Sequence, residues 1–270
     1  MSRVSQPANE LSATTGPNAA GITLDIDWAP DFVIDRVAEA FLEHQVPATW
    51  FVTHASPAVD RLRREPELFE LGIHPNFLSG STHGDTIPAV LDHCMQLVPD
   101  ATSMRTHSLY QSTPMLSAVA QQTPITVDVS LFLPGATGLR PIEHWFAHRP
   151  LVRVPFFWED DVAMQRHQTR LEPQALLSHG DGLKVFNFHP IHVYLNSTDM
   201  AAYQALKKQC PRLSETTASQ VDPFIQPGEG TGRFFNSLLA DLSQRTVSLI
   251  RDFADSVDPI VDIRESRTAA

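Results

Sequence analysis

The sequence is poor in cysteine and in basic residues. Its 270 residues include only two cysteines, Cys94 and Cys210, which lie far apart and form no CxxC pattern. They do not imply a disulfide framework, and they fit a reducing cytosol. The chain has 20 basic against 31 acidic residues, for a net charge of −11. Because this charge repels phosphate backbones and anionic membrane surfaces, we expect neither nucleic acid nor membrane as a partner.

Long apolar runs are also missing. No stretch approaches the roughly 20 apolar residues that a membrane helix needs, so no membrane insertion is expected. Residues 1–20 are mostly Ser, Thr, Pro, Asn, Gly and Ala, without the apolar centre of a signal peptide. We therefore expect a disordered tail over residues 1–20 and a cytoplasmic location. No pattern in the sequence indicates the oligomeric state.

The apolar residues that are present suffice for a sizeable core. Hydrophobic residues make up 42% of the chain, and α/β barrels of this length commonly fold as one unit. We therefore expect a single barrel domain over residues 21–270. The stretch 208–232 is rich in Pro, Gly, Ser and Thr, which predicts a long loop that is a lid, a binding loop or a disordered segment.

Short β-branched runs alternate with stretches of helical periodicity, which favours an α/β fold with a parallel sheet or barrel. Strands are predicted at residues 21–27, 48–53, 71–74, 102–107, 125–130, 151–154 and 182–189. Helices are predicted at residues 30–45, 58–69, 88–98 and 234–257.

Several of these strands end in chemically different polar residues. Asp25 and Asp27 end the first strand, and because they are two apart both point to one side of it. His74, Arg105 and His189 end later strands. In α/β barrels the active site lies at the C-terminal ends of the strands. Carboxylate, imidazole and guanidinium groups gathered there predict a site for metal binding and proton transfer.

Four segments in order resemble the motifs of NodB-type polysaccharide deacetylases, carbohydrate esterase family four. Thr23-Leu-Asp-Ile-Asp27 resembles the acidic first motif, and Gly72-Ile-His-Pro-Asn76 resembles the metal-binding histidine motif. Arg105-Thr-His-Ser108 resembles the third, Arg-containing motif, and Val185-Phe-Asn-Phe-His-Pro190 resembles the last, histidine-containing one. The resemblance runs from about residue 21 to residue 195. The motif forms Asp25-Ile-Asp-Trp28 and Ile73-His-Pro-Asn-Phe77 are most similar to those of a divergent branch associated with surface-glycan biosynthesis.

This resemblance implies a deformed (β/α)7-type barrel and a catalytic group of three residues. Asp25 would be the general base, Arg105 would orient it, and His189 would be the general acid. Asp27 and His74 would bind a divalent metal, zinc before other ions. Amide hydrolysis needs an activated water, a Lewis acid on the carbonyl oxygen and a proton for the nitrogen. Asp25 would activate the water, the metal would be the Lewis acid, and His189 would supply the proton.

The sequence departs from the family at Leu78, where the motif usually supplies a second metal-binding histidine. The third ligand would then come from elsewhere, or the site would lack metal. His83 on the following loop is the first candidate. Asn76 is the second, although an amide oxygen is a weaker ligand for zinc.

Other polar and aromatic residues flank the motifs. We predict that four of them contact the substrate, namely Asn76, His107, Trp158 and His192. Asp128 is expected to orient His189, as carboxylates often fix an imidazole ring.

The function implied is metal-dependent removal of an acyl group, such as acetyl, from an N-acylated amino sugar or glycan precursor. The partner is then a carbohydrate or another small amide. Two alternatives stay open. A metal-free, allantoinase-like C–N hydrolase is one, and a non-catalytic glycan-binding barrel is the other.

Overall fold

The computed structural model describes residues 19–146, 149–166 and 172–257, and within them nine strands form one sheet. The strands are β1 (Ala20–Asp25), β2 (Ala48–Val52), β3 (Phe69–Ile73), β4 (Ser103–Met104), β5 (Val127–Asp128), β6 (Ile142–Phe146), β7 (Arg149–Arg153), β8 (Trp158–Glu159) and β9 (Lys184–Phe188). Their order is β6-β7-β5-β4-β3-β2-β1-β9-β8. All neighbours pair in parallel except β6 and β7, which are antiparallel.

The sheet is curled, and one segment links its two sides. Between β7 and β8, the Phe156 N–H donates to the carbonyl of Leu131 beyond β5 (3.0 Å). The next N–H, that of Phe157, donates to the carbonyl of Val185 on β9 (3.1 Å). The expected α/β fold with a deformed barrel is thus confirmed as a curled sheet covered by helices.

Ten α-helices lie in the described residues. They are α1 (Asp31–His44), α2 (Pro57–Leu62), α3 (Ile87–Leu97), α4 (Thr113–Gln122), α5 (Asp160–Gln165), α6 (Pro173–Leu177), α7 (Pro190–Leu195), α8 (Ala201–Gln209), α9 (Ala218–Val221) and α10 (Thr231–Leu242). Side chains cap several of them in the expected way, because Ser56, Thr86 and Ser112 each accept an N–H of the first turn. None of the helices described is long and apolar enough to cross a membrane.

Two predicted helices end earlier than their apolar pattern suggests. The helix predicted over 58–69 ends at Leu62, and Phe69 already begins β3. The helix predicted over 234–257 is α10 followed by a separate 3-10 helix, Ile250–Asp255. That turn is anchored under the sheet, because the Ile250 N–H donates to Thr49 Oγ1 (3.0 Å) and the Arg251 N–H donates to Glu70 Oε2 (2.9 Å).

The segment 208–232 contains regular structure. It includes the 3-10 helices Leu213–Glu215 and Asp222–Phe224, the helix α9, and the start of α10. Of the predicted tail, residues 1–18 lie outside the described residues, and Ala20 already begins β1. The single-domain boundary of 21–270 stays a prediction.

Candidate active site and metal centre

The parallel strands β1, β3, β4, β8 and β9 bring their carboxyl ends to one edge of the sheet. A cavity of about 200 Å³ lies there. Its lining consists mostly of polar groups, namely Asp25, Asp27, His74, Thr106, His107, Ser108, Leu109, Glu159, Asp161 and His189.

Asp27, His74 and His107 form a triangle of possible metal ligands in this cavity. Asp27 Oδ1 lies 3.3 Å from His74 Nε2 and 3.1 Å from His107 Nδ1, and the two nitrogens lie 3.3 Å apart. A tetrahedral zinc ion with bonds of about 2.0–2.2 Å separates its ligands by roughly 3.3–3.6 Å. The triangle therefore fits one tetrahedral ion with a fourth position open to the cavity.

The charges within this triangle depend on one another. Burial alone would raise the pKa of Asp27, but hydrogen bonds to His107 and His74 and the charges of His74 and His189 hold it well below its usual range. Burial lowers the pKa of His107, and Asp27 reverses this and raises it. Two imidazoles and one carboxylate are a donor set that zinc commonly takes.

The backbone around these ligands is unusual. Asp27 and Trp28 have φ of 39° and 56°, and Ser108 and Leu109 have φ of 55° and 52°. Residues other than glycine rarely occupy this left-handed region, and they concentrate at functional sites. The second pair turns the chain back directly after His107, which brings its ring towards Asp27.

His83, the first candidate for the third ligand, does not join the triangle. Its Nδ1 accepts the Asn76 N–H (3.1 Å), so its Nε2 carries the proton and donates to the Thr53 carbonyl (2.8 Å). Burial lowers the pKa of His83 to about 4, which keeps the ring neutral. His107, which we expected to bind substrate, takes the third position instead.

Asn76, the second candidate, is occupied in its own loop. Its Oδ1 accepts the Leu78 N–H (3.0 Å), and it does not line the cavity. Neither the predicted ligand role nor the predicted substrate contact of Asn76 matches this placement, because the amide oxygen closes a local turn.

Asp25 is held as a carboxylate beside the triangle. Its Oδ1 accepts from Arg105 Nη1 (3.1 Å) and its Oδ2 accepts from Asn187 Nδ2 (2.9 Å). Burial raises the pKa of Asp25, but the charges of Arg105, His74 and His189 outweigh it and lower the pKa overall. A carboxylate of this kind can accept a proton from water.

Arg105 is rigid and fully buried. Its guanidinium lies between the rings of Phe51 and Phe156, with its central carbon 5.0 Å and 4.2 Å from their centres. Its Nε donates to the Val129 carbonyl (3.0 Å), and its Nη1 donates to Thr23 Oγ1 (2.8 Å) as well as to Asp25. The structure therefore brings Arg105 to Asp25, as the motif implied.

His189 faces Asp25 and Asp27 from the opposite side. Its Nε2 lies 3.8 Å from Asp27 Oδ2 and 4.0 Å from Asp25 Oδ2. Asp160 holds the ring, because its Oδ1 lies 2.7 Å from His189 Nδ1 and its Oδ2 accepts the His189 N–H (2.7 Å). Burial lowers the pKa of His189, but Asp160, Asp161 and Asp27 raise it well above its usual value. The raised pKa favours the protonated form of the ring, which lines the cavity.

Asp128, the carboxylate expected to orient His189, lies elsewhere. It pairs with Arg153 and accepts a hydrogen bond from Ser130 Oγ (2.6 Å). Asp160 has the expected role. Its position directly after β8 is set by the pairing of β8 with β9, which the sequence alone does not reveal.

Two other predicted substrate contacts are buried away from the cavity. Trp158 packs in the core, with its ring 4.8 Å from that of Phe234. It points away because its neighbour Glu159 faces the cavity and successive strand residues alternate. His192 is buried too, and its Nε2 lies 3.0 Å from Oδ1 of Asp161, which lines the cavity.

Sequence reasoning missed Asn187, and it left the acidic run of residues 158–161 as either part of the cleft or a solvated turn. Asn187 lies two residues before His189, so both point to the same side of the strand. That spacing was a usable signal. Glu159 Oε1 accepts from Asn187 Nδ2 (3.1 Å), and no local pattern distinguishes it from a solvated turn.

Comparisons with known proteins found a matching family and similar solved structures. The family model of WbmS-like polysaccharide deacetylases matches residues 22–207. A crystal structure of a putative polysaccharide deacetylase involved in O-antigen biosynthesis in Bordetella bronchiseptica is similar at 34% identity and a TM-score of 0.72. The similarity covers 83% of this chain and 91% of that one.

More distant structures share only a general likeness. They include a family 4 carbohydrate esterase from Bacillus anthracis, at 11% identity and a TM-score of 0.45 over 90% of this chain and 86% of that one. The peptidoglycan deacetylase PdaC from Bacillus subtilis matches at 11% identity and a TM-score of 0.42, over 94% of this chain and 96% of that one. No curated protein matches the chain.

Proposed function

This chain belongs to the family of WbmS-like polysaccharide deacetylases, hydrolases of carbon–nitrogen bonds, and we propose that it deacylates an N-acylated amino sugar of a surface-glycan precursor. One observation carries the proposal. A base candidate held by an arginine, an acid candidate held by an aspartate, and a triangle of metal ligands all face one cavity.

The two halves of the reaction would fall to residues on opposite sides of the cavity. Asp25 takes a proton from the attacking water while the new carbon–oxygen bond forms. His189 gives its Nε2 proton to the nitrogen as the carbon–nitrogen bond breaks, which releases the amine and a carboxylic acid that then ionises by giving its proton to the solvent. Arg105 keeps Asp25 ionised, and Asp160 keeps His189 protonated and oriented.

Asp27, His74 and His107 would hold a divalent ion, and their donor set favours zinc. Such an ion supplies Lewis acidity to a carbonyl oxygen and lowers the pKa of water towards ~7. The two alternatives are a metal-free hydrolase and a non-catalytic barrel. Neither explains why three side chains of metal-ligand type lie together in the cavity.

Cavity size and cysteine state support further details. At about 200 Å³, the cavity is smaller than the ~300–1,000 Å³ of drug-sized pockets. An acylamino group and one adjoining sugar ring suit it better than a long polymer segment.

Both cysteines are free, as a reducing cytoplasm maintains them, and the cytoplasm is our proposed location.

The test is acetate release from purified zinc-loaded protein with a panel of N-acetylated amino sugars, free, nucleotide-linked and lipid-linked. We expect release from at least one, and a loss of at least about 100-fold in kcat for Asp25→Asn. Equal release by Asp25→Asn and the parent would disprove the base assignment. An exposed control, Asp100→Asn, should behave as the parent.

A further inference from the structure

Asp161 lines the cavity, but neither the proposed reaction nor the metal triangle has a role for it. It lies in the first turn of α5, directly after Asp160, the residue that holds His189. Its Oδ1 is 3.8 Å from His189 Nδ1, which is too far for a hydrogen bond. Its side chain is 34% exposed. Asp161 is therefore an accessible carboxyl group beside the acid candidate.

A buried histidine fixes one oxygen of Asp161. The Oδ1 atom is buried and lies 3.0 Å from His192 Nε2. On the other side of the imidazole, His192 Nδ1 lies 3.2 Å from Ser197 Oγ, and the ring of Tyr203 packs edge-on with its centre 4.7 Å away. Because these contacts hold the imidazole in place, Asp161 has a defined position in the cavity wall. The sequence predicted that His192 contacts substrate, and in the structure it reaches the cavity through Asp161.

The second oxygen of Asp161 is available to a ligand. Its Oδ2 makes no hydrogen bond or ion pair with any residue that the structure describes. Burial raises the pKa of Asp161, but the charge of His189 and the contact with His192 outweigh this effect and lower the pKa to about 2. An ionised carboxylate accepts hydrogen bonds and donates none. The group that binds to Oδ2 therefore carries a hydrogen-bond donor.

A sugar hydroxyl is the donor that suits this position. In the proposed reaction the leaving nitrogen comes within about 3 Å of His189 Nε2. Asp161 lies beside that imidazole, and the cavity of about 200 Å³ suits an acylamino group and one ring. On such a ring, the hydroxyl nearest to the nitrogen is attached to the next ring carbon.

We propose that Asp161 Oδ2 accepts a hydrogen bond from a free hydroxyl on a ring carbon next to the acylamino carbon, an inference that rests on the proposed function. The substrates are then N-acylated amino sugars in which this hydroxyl is unsubstituted. A glycan linked through that oxygen has no O–H to donate there. Deacylation therefore precedes any reaction that adds a sugar at this position.

The experiment compares acetate release from the N-acetylated sugar that the panel identifies with release from its deoxy counterparts. In these, each hydroxyl next to the acylamino carbon is replaced by hydrogen, one at a time. We expect the parent to prefer the hydroxyl sugar over one deoxy counterpart by about 10- to 100-fold in kcat/KM.

Asp161→Asn keeps the shape of the side chain and removes its charge. We expect it to lower kcat/KM on the hydroxyl sugar about tenfold or more and to leave the deoxy sugar within about twofold, because only the first can donate to Asp161. Asp60→Asn is the matched control, since Asp60 also lies in the first turn of a helix, α2, but is exposed and does not line the cavity. It should keep the preference of the parent.

Three results overturn the inference and leave the proposed function standing. In the first, the active parent shows the same kcat/KM on all of these sugars. In the second, Asp161→Asn keeps the full preference, so that another residue binds the hydroxyl. In the third, Asp161→Asn loses the same factor on both sugars, which a role through His189 or through the fold produces. A parent that releases no acetate from any sugar overturns the proposed function itself.

Discussion

At the scale of single residues, His107 and His83 show what decides which histidine lies beside Asp27 and His74. His83 follows the second motif on a loop, whereas His107 lies within the third motif. His83 has both ring nitrogens in internal hydrogen bonds, whereas the Nδ1 of His107 lies with Asp27 and His74. The resemblance to the deacetylase motifs implied Asp27 and His74 as ligands, but a loop's backbone dihedral angles bring His107 beside them, and no local pattern encodes those angles.

His107→Ala should therefore lose metal, and His83→Ala should keep it. Removing one of three protein ligands weakens a zinc site strongly, so we expect zinc in His107→Ala to fall at least about tenfold after dialysis. Elemental analysis of both variants and the parent measures this. Equal zinc in His107→Ala and the parent would contradict the ligand assignment.

Glu70 is a second residue whose surroundings make a prediction. It is buried under the sheet and accepts hydrogen bonds from Thr49 Oγ1 (2.7 Å), Ser103 Oγ (2.6 Å) and the Arg251 N–H (2.9 Å). Burial raises its pKa above the ordinary value of 4.5, and these hydrogen bonds only partly offset the rise.

A carboxyl group with a raised pKa in the folded protein stabilises the fold most when it is protonated. Its contribution is full below pH 4.5, the ordinary value, and is lost as the pH rises through the folded-state pKa. Urea unfolding of the parent and Glu70→Gln from pH 4 to 7 should show a decline in the parent that the variant lacks. Glu70→Ala should cost about 1–3 kcal/mol throughout, because it leaves buried donors unpaired. Parallel pH curves for the parent and Glu70→Gln would refute this.

At the scale of elements, the strand β3 needs its glycine. A Cβ on Gly72 would lie 2.7 Å from ring atoms of Phe51 and 2.7 Å from Ser103 Oγ. Both neighbours are fully buried, so they cannot move aside without disturbing the core. Gly72 thus permits β3 to lie close to its neighbours and sets the position of His74 two residues later.

Gly72→Ala should lower the free energy of unfolding by about 1–3 kcal/mol and weaken zinc binding through His74. Gly21→Ala is the matched control in β1, since its Cβ would meet atoms only at 3.4 Å and beyond. Chemical denaturation and zinc titration of both variants make the measurement. Equal stability of the two would show that the core beside Gly72 is looser than these distances imply.

The structure confirms several predicted strands and also contains a strand, β8, that the sequence does not predict. The strands predicted near residues 21, 48, 71 and 182 are confirmed, because runs of β-branched and apolar residues mark buried parallel strands. The two-residue strand β8 has no such run. Its existence depends on pairing with β9, and so does the approach of Glu159 and Asp160 to the cavity. Those contacts join distant parts of the chain and leave no trace in local composition.

At the scale of the whole molecule, metal and fold should stabilise each other. The ligands come from the ends of β1, β3 and β4, so an ion bound to Asp27, His74 and His107 joins three strands. Free zinc at about 100 times its dissociation constant adds about 2.7 kcal/mol of stability, which corresponds to a rise in Tm of roughly 5–10 °C.

Thermal denaturation with chelator and then with restored zinc tests this linkage. The parent should lose and regain that stability, while His107→Ala should be insensitive to zinc. A shift of the same size in both proteins would mean that zinc binds elsewhere.

The position of β1 between β2 and β9 also bears on how the protein is made. Thr23 bonds to Phe186, 163 residues later, and translation at about 5–20 residues per second needs on the order of 10 s to supply that partner. Until then the strand that ends in Asp25 has an open edge on the ribosome. The nascent chain must keep this edge from pairing with another chain, so we expect the yield of active protein to depend on synthesis speed and chaperone access.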